Sequence, residues 1–320
     1  MSRQSKELQT RWDGHDAEDV LQSLIKGKPV SPFGVINGRV DLRGITIDQP
    51  GSVRESEYFN RLTKVFRFTG RSISTVDLSY SVLPEWRIAD TRIEDSVFAG
   101  SRLSSLRVYS SEFVDCTFMD SVLTEASLTG KSGRSTEASS RYLRCDFTRA
   151  DLRKISVDGG YFVDCSFRQS RWRDTRTMSA VFENCDFSEA LLQSVHFDGR
   201  MLGGPGRPNR LGNNSMRGCN FSSAKLEDTS FYGVDFRNLT PPTGEQYLLY
   251  SRFPSRAAHA LELLKAKSND GQIEELAYRL LENTTTGYDL LPGDAVGMIN
   301  RDNFPPDIAG RIVSAMGSAT

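Results

Sequence analysis

From Phe68 to Leu128 an apolar residue stands at every fifth position: Phe68, Ile73, Leu78, Leu83, Ile88, Ile93, Phe98, Leu103, Val108, Phe113, Phe118, Leu123 and Leu128. Two residues before most of them sits a small side chain, as at Val76, Ser81, Thr91, Ser96, Ser101, Ser111, Cys116, Ser121 and Ala126. A helix repeats at about 3.6 residues and a strand at about 2, so neither produces this pattern. A short repeat of fixed length predicts a solenoid, whose coils bury one another's apolar side chains.

The period is interrupted and resumes. A polar stretch over 129–141 separates Leu128 from Tyr142, and the series then runs through Phe147, Leu152, Val157, Phe162, Phe167, Trp172, Thr177, Phe182, Phe187, Leu192, Phe197 and Leu202. Thr177 is its one polar member. A second polar stretch over 203–214 precedes Met216, Phe221, Leu226, Phe231 and Phe236. Each stretch is expected to be a loop ejected at a corner. If Tyr142 takes the face that follows Leu128, one interior column reads Leu78, Phe98, Phe118, Phe147, Phe167, Phe187, and the small column beside it reads Val76, Ser96, Cys116, Cys145, Cys165, Cys185.

These residues resemble the pentapeptide-repeat family, whose motif centres on Leu or Phe with Ala, Cys, Ser, Thr or Val two residues earlier. The resemblance covers Phe68 to Phe236. It implies a mainly β fold: a right-handed quadrilateral β-helix with four pentapeptides per coil. It implies little about function, because one solenoid serves unrelated roles.

The flanks differ in composition. Residues 1–65 are expected to form a polar leader and cap, with one short helix capped by Asp16 and an imperfect first pair of repeats at Val40-Asp41-Leu42 and Ile47. An irregular crossing is expected over 48–65. The repeats are assigned to 66–242 and a helical domain to 243–320, with apolar stripes at Ala257, Ala258, Leu261, Leu264 and at Ile273, Leu276, Ala277, Leu280, Leu281. A last helix follows Pro305-Pro306-Asp307. The helical domain is expected to cover the last coil, as a monomer or as a homodimer through its remaining apolar surface.

Lys plus Arg number 40 and Asp plus Glu 41, so no global charge announces nucleic acid as a partner. The N-terminus lacks the apolar run of a secretion signal, no stretch approaches a bilayer span, and the five cysteines contain no CxxC. A cytoplasmic protein with reduced thiols is expected. The thiol column reads as packing, since free Cys behaves as a small hydrophobe. Gly130-Lys131-Ser132 lacks the earlier glycine of a phosphate loop. His15, His196 and His259 are scattered, and His196 is placed on an outward position beside Asp198. No catalytic residue, metal ligand or cofactor is assigned.

Surface charge remains. One face gathers Glu94, Asp95, Glu112, Asp115, Asp164 and Glu183; its neighbour carries further acids; another face aligns Arg67, Arg87 and Arg107. The expected function is a non-catalytic scaffold that binds a protein partner through the acidic faces and the loops, the latter through Lys131, Arg134, Arg207 and Arg210. The resemblance adds an alternative, since some bacterial pentapeptide proteins mimic duplex DNA and protect DNA gyrase. An enzyme with its site in the helical domain or loops is a further alternative. Direct nucleic-acid binding through Arg171, Arg173 and Arg176 is disfavoured by the interleaved Asp174 and the lack of an exposed aromatic platform.

Overall fold

A computed structural model describes residues 3–46, 67–130, 139–201, 210–211 and 216–318. The protein comprises two compact units, Met1–Trp172 and Arg173–Thr320.

In the first unit the five-residue phase becomes four strand columns. Residues twenty apart pair in parallel: Ile73 with Ile93, Ile93 with Phe113, and Asp77 with Val97. Tyr142 pairs with Phe113 and Phe162 with Tyr142, so the first insertion is ejected at a corner without disturbing the column. Phe98, Phe118, Phe147 and Phe167 form one buried stack with centroid spacings of 4.8, 4.8 and 5.1 Å. Aromatic faces meet there with no competing polar atom. The inward hydroxyls are also satisfied; Ser101, for example, donates to the Leu78 carbonyl at 2.6 Å.

Each corner has a conformational cost. The residue two after most centres lies in the left-handed region, as at Asp90, Asp95, Ser105, Ser110, Asp115, Asp120 and Glu125, with φ between 43° and 60°. For a residue with a Cβ this costs about 1–2 kcal/mol. Hydrogen bonds between coils offset it, such as Phe98 N–H to the Thr117 carbonyl at 2.7 Å.

The N-terminal segment holds two helices where one is expected. Helix α1 (Arg3–Thr10) is polar throughout except at Leu8, which hid it; helix α2 (Ala17–Ile25) starts at Asp16, whose side chain accepts from Asp19 N–H. A hairpin joins Val35–Ile36 to Arg39–Asp41 through Asn37 and Gly38, both at positive φ, the turn an Asn-Gly pair favours. Its second strand pairs with Val76–Asp77, which sets Leu42 on the Leu78 column as a true first repeat. Gln9 of α1 donates to the Tyr80 carbonyl and Trp12 Nε1 to the Arg43 carbonyl, closing an edge that would otherwise expose unpaired strand groups. Ile47 and the expected crossing over 48–65 lie outside the described residues.

In the second unit Phe187 stacks on Phe221 at 4.8 Å and Phe197 on Phe231 at 5.1 Å. Thr177 is fully buried. The phase of the second insertion differs from expectation. Asn220 bridges to Asp186 and its N–H reaches the Cys185 carbonyl, so Phe221 stands on Phe187 and Met216 falls on the Phe182 column. Met216 therefore succeeds Phe197, and Leu202, which lies outside the described residues, is not needed as a centre. The strand Leu191–Asp198 spans the corner at Ser194 and ends one residue after Phe197, and the chain then enters a ribbon in which Arg200–Met201 pairs antiparallel with Arg210–Leu211. The insertion therefore precedes the Met216 position of the Phe182 column, where the series through Leu202 had placed it one repeat later.

The C-terminal part contains α3 (Phe253–Lys267), α4 (Gln272–Thr284) and α5 (Pro306–Ser318) around Phe253, Ala257, Leu264, Leu281, Ile299 and Ile312. It also holds an antiparallel strand pair, Tyr247–Tyr250 with Gly297–Asn300, which the helical periodicity did not reveal. This part covers the last coil: Asn300 Nδ2 donates to the Leu226 carbonyl, Asn303 Nδ2 to Thr229, and Phe236 N–H to Val296. Of the expected stripes, Ala258 faces solvent, and Ile273 and Leu276 remain 41% and 44% exposed.

Candidate interaction surface

The outward residues stack as strictly as the inward ones. Along the Phe113 column, the position before each centre reads Ser72, Arg92, Glu112, Arg141, Tyr161. Charges alternate. Arg92 pairs with Glu112 and also reaches Glu94 at 3.3 Å; Arg141 lies 4.0 Å from Glu112, and its guanidinium sits 6.0 Å from the Tyr161 ring. The corner position reads Asp95, Asp115, Arg144, Asp164. Arg39 pairs with Asp95, and Arg144 grips Asp115 with both oxygens at 2.7 and 2.8 Å. That grip holds the Asp115 carboxyl below the ordinary carboxylate range. Arg149 grips Asp120 on the next column in the same way.

Glu94, Asp95, Glu112 and Asp115 thus lie together in the first unit, each beside an arginine. Asp164 follows Asp115 up the same column. Glu183 belongs to the second unit and pairs with Arg217. Lys131, Arg134 and Arg207 lie outside the described residues. Arg210 contributes its backbone to the second insertion's ribbon.

A recurrent clamp went unread in the sequence, although its Asp-x-Arg spacing is plain there. At Asp41-Leu42-Arg43, Asp151-Leu152-Arg153, Asp198-Gly199-Arg200 and Asp235-Phe236-Arg237, the carboxylate accepts the backbone N–H two residues on and the guanidinium of that same arginine. Burial alone would raise the Asp41 carboxyl, but hydrogen bonds from Arg11 and Arg43 outweigh it and hold the group well below the usual range. Asp198 obeys the same balance, with Arg200 and Arg176 as partners, and its side chain is fully buried. His196 is half-buried, and its Nδ1 has no hydrogen-bond partner among the described residues.

Asp198 also roots the second insertion. Ser179 Oγ donates to the Arg200 carbonyl, Gly199 N–H to Tyr232, and the Arg200 guanidinium lies 5.2 Å from the Tyr232 ring. Gly287 closes over Arg200 at φ +85°, where a Cβ would strike the arginine stem.

The thiols of Cys116, Cys145, Cys165, Cys185 and Cys219 are buried, and burial pushes Cys145 upward, keeping it neutral. Among the described residues no group of His, Cys, Asp and Glu could hold a metal ion, and no helix is long and apolar enough to cross a membrane.

A family model for pentapeptide repeats in eight copies matches residues 210–238. With the coils described above, that match makes the chain a pentapeptide-repeat protein. No curated protein matches it. Among solved structures, a trypsin-treated variant of QnrB1, a plasmid-mediated fluoroquinolone resistance protein, is similar at 16% identity and TM-score 0.30, covering 65% of this chain and 93% of that one. HetL, a pentapeptide repeat protein involved in heterocyst differentiation regulation in the cyanobacterium Nostoc sp., is similar at 12% identity and TM-score 0.18, covering 68% and 95%. Likenesses of this size carry no residue correspondence; the fold rests on this chain's own coils.

Proposed function

We propose that the protein is a non-catalytic scaffold that binds a protein partner, through the insertions and the face bearing Glu94, Asp95, Glu112 and Asp115. The observation that carries this is the root of the second insertion. A fully buried carboxylate and its arginines fix a ribbon that the coil itself does not require. Breaking such a pair costs about 3–5 kcal/mol, so the base of the ribbon is held in place at Arg200. Preorganised protrusions on a rigid solenoid lower the ordering cost of association.

The alternative, a DNA mimic acting on gyrase, asks for rows of carboxylates free to meet a basic saddle. Here all four carboxylates already have arginine partners, which favours a mixed-charge contact over mimicry. The test uses the full chain as bait against its host lysate, beside variants with 130–140 or 204–213 trimmed to short turns and a variant with the four acids reversed to Lys. One partner captured by the wild type and lost from these folded variants supports the proposal. Retention of every captured protein by all the variants overturns it. Purified protein added to a gyrase supercoiling assay tests the mimic: a change in activity or in quinolone inhibition would favour that reading instead.

A further inference from the structure

Arg67, Arg87 and Arg107 occupy one position on three successive parallel strands, Arg67–Thr69, Arg87–Ala89 and Arg107–Tyr109. Like charges placed directly opposite one another destabilise a sheet. The position does not demand arginine, because the same column continues with Ser127 and Ser156. Neither Arg87 nor Arg107 makes an ion pair among the described residues, whereas Arg39, Arg92, Arg141, Arg144 and Arg149 all do. Arg107 spends its guanidinium on the Leu106 and Glu125 carbonyls at 3.2 and 2.7 Å, which carry no neutralising charge. The Nε of Arg87 is buried and has no partner among the described residues. Within this ladder Arg87 and Arg107 therefore stand without a carboxylate partner among the described residues, beside rows that neutralise themselves.

We infer that this ladder docks an acidic helix of a partner protein. Spacing selects the occupant. Neighbouring strands set the guanidinium rows about 4.8 Å apart. Helical residues three or four apart lie about 5–6 Å from each other, a close match. Same-side residues of an extended peptide recur at roughly 6.7 Å, a poorer one. Nucleic-acid single strands are gripped by aromatic stacking as well as charge. The aromatics on these three strands are Phe68, which pairs with Ile88 in the column of repeat centres, and Tyr109, whose ring is packed against Gly130. Guanidinium forks also suit carboxylates two bonds at a time. The inference adds a second surface to the scaffold and does not depend on the insertions or the Glu112 row.

Fluorescence anisotropy on the full chain tests it, with a labelled helical peptide carrying Glu at every fourth position and a labelled single-stranded oligonucleotide as the competing probe. The wild type is expected to bind the peptide, more weakly as salt rises from about 0.05 to 0.2 M. The Arg87→Ser, Arg107→Ser double variant should lose roughly tenfold in affinity, mostly through faster dissociation. Arg87→Lys with Arg107→Lys should fall between, because charge is kept and the fork is lost. A thermal melt of Arg87→Ser provides a readout without ligand: relief of like-charge stacking should leave the midpoint unchanged or higher. Failure of the wild type to bind the peptide, unchanged binding by the double Ser variant, or tighter binding of the oligonucleotide than of the peptide would each overturn the inference. So would a clear drop in the Arg87→Ser midpoint, since the arginine would then be holding the coil together.

Discussion

Two rows of the first unit carry the same kind of side chain on the same kind of strand and differ only in what stands opposite. One reads Arg92, Glu112, Arg141; the other reads Arg67, Arg87, Arg107. Beneath the first lie Ile93, Phe113 and Tyr142, and beneath the second Ile88 and Val108, all buried. The interior therefore does not dictate the exterior pattern. A solenoid brings every twentieth residue into register and leaves the choice of charge to other demands. Alternation satisfies the row from within; repetition leaves it waiting for something outside.

The severest way to break the comparison is to remove the interior under the alternating row. Phe113 stacks on Tyr142 at 4.9 Å and meets Phe118 edge-on at 5.7 Å. Phe113→Ala should cost about 3–5 kcal/mol by denaturant titration. If it costs under about 1 kcal/mol, the column collapses to fill its own cavities and the rigid-stack picture fails.

Next in size is Asp41, the buried clamp at the N-terminal cap. Its folded pKa lies below the unfolded value of about 3.9, so it contributes stability above that value, and the contribution is lost as pH falls through the folded pKa. Asp41→Asn should lower the melting temperature at pH 7. The gap to wild type should stay constant down to about pH 5 and close below about pH 4. A gap that does not vary with pH would mean the loss comes from packing and not from charge.

Glu112→Lys sharpens the comparison directly, because it converts the alternating row into a like-charged one. The melting temperature should fall, by less than for Phe113→Ala, and part of the loss should return in high salt. An unchanged midpoint would show that row alternation carries no stability. Arg87 and Arg107, without ion pairs among the described residues, would then mark nothing special.

Legibility in the sequence divides along similar lines. The interior columns were readable because one missed beat in five would expose a Phe or bury a charge. The first insertion was readable because aromatic stacks on aromatic across it. The second was not, since Leu202 fits the arithmetic, whereas the strand ends at the buried Asp198 and Arg200–Met201 already belongs to the ribbon. Helix α1 was invisible because a cap needs little apolar surface. For the candidate surface, the sequence sorted acids onto faces but not which arginine stands one coil away. That second fact decides whether a carboxylate is free.

The smallest effect tests the corners that both rows share. Ser105 turns the chain into the Arg107 strand at φ 58°, and its N–H bonds to the Thr124 carbonyl at 2.9 Å. Gly100 already fills the equivalent place one repeat earlier, at φ 65°. Ser105→Gly removes a left-handed strain of about 1–2 kcal/mol but loosens the unfolded chain by about 0.4–1 kcal/mol, so a net gain near 0.5 kcal/mol is expected. Both rows should keep their register, and affinity for the acidic peptide should not change. A Ser105→Gly protein that is more stable yet binds the peptide differently would mean that the corner positions Arg107, and that the cationic row depends on the turn before it as well as on the column beneath.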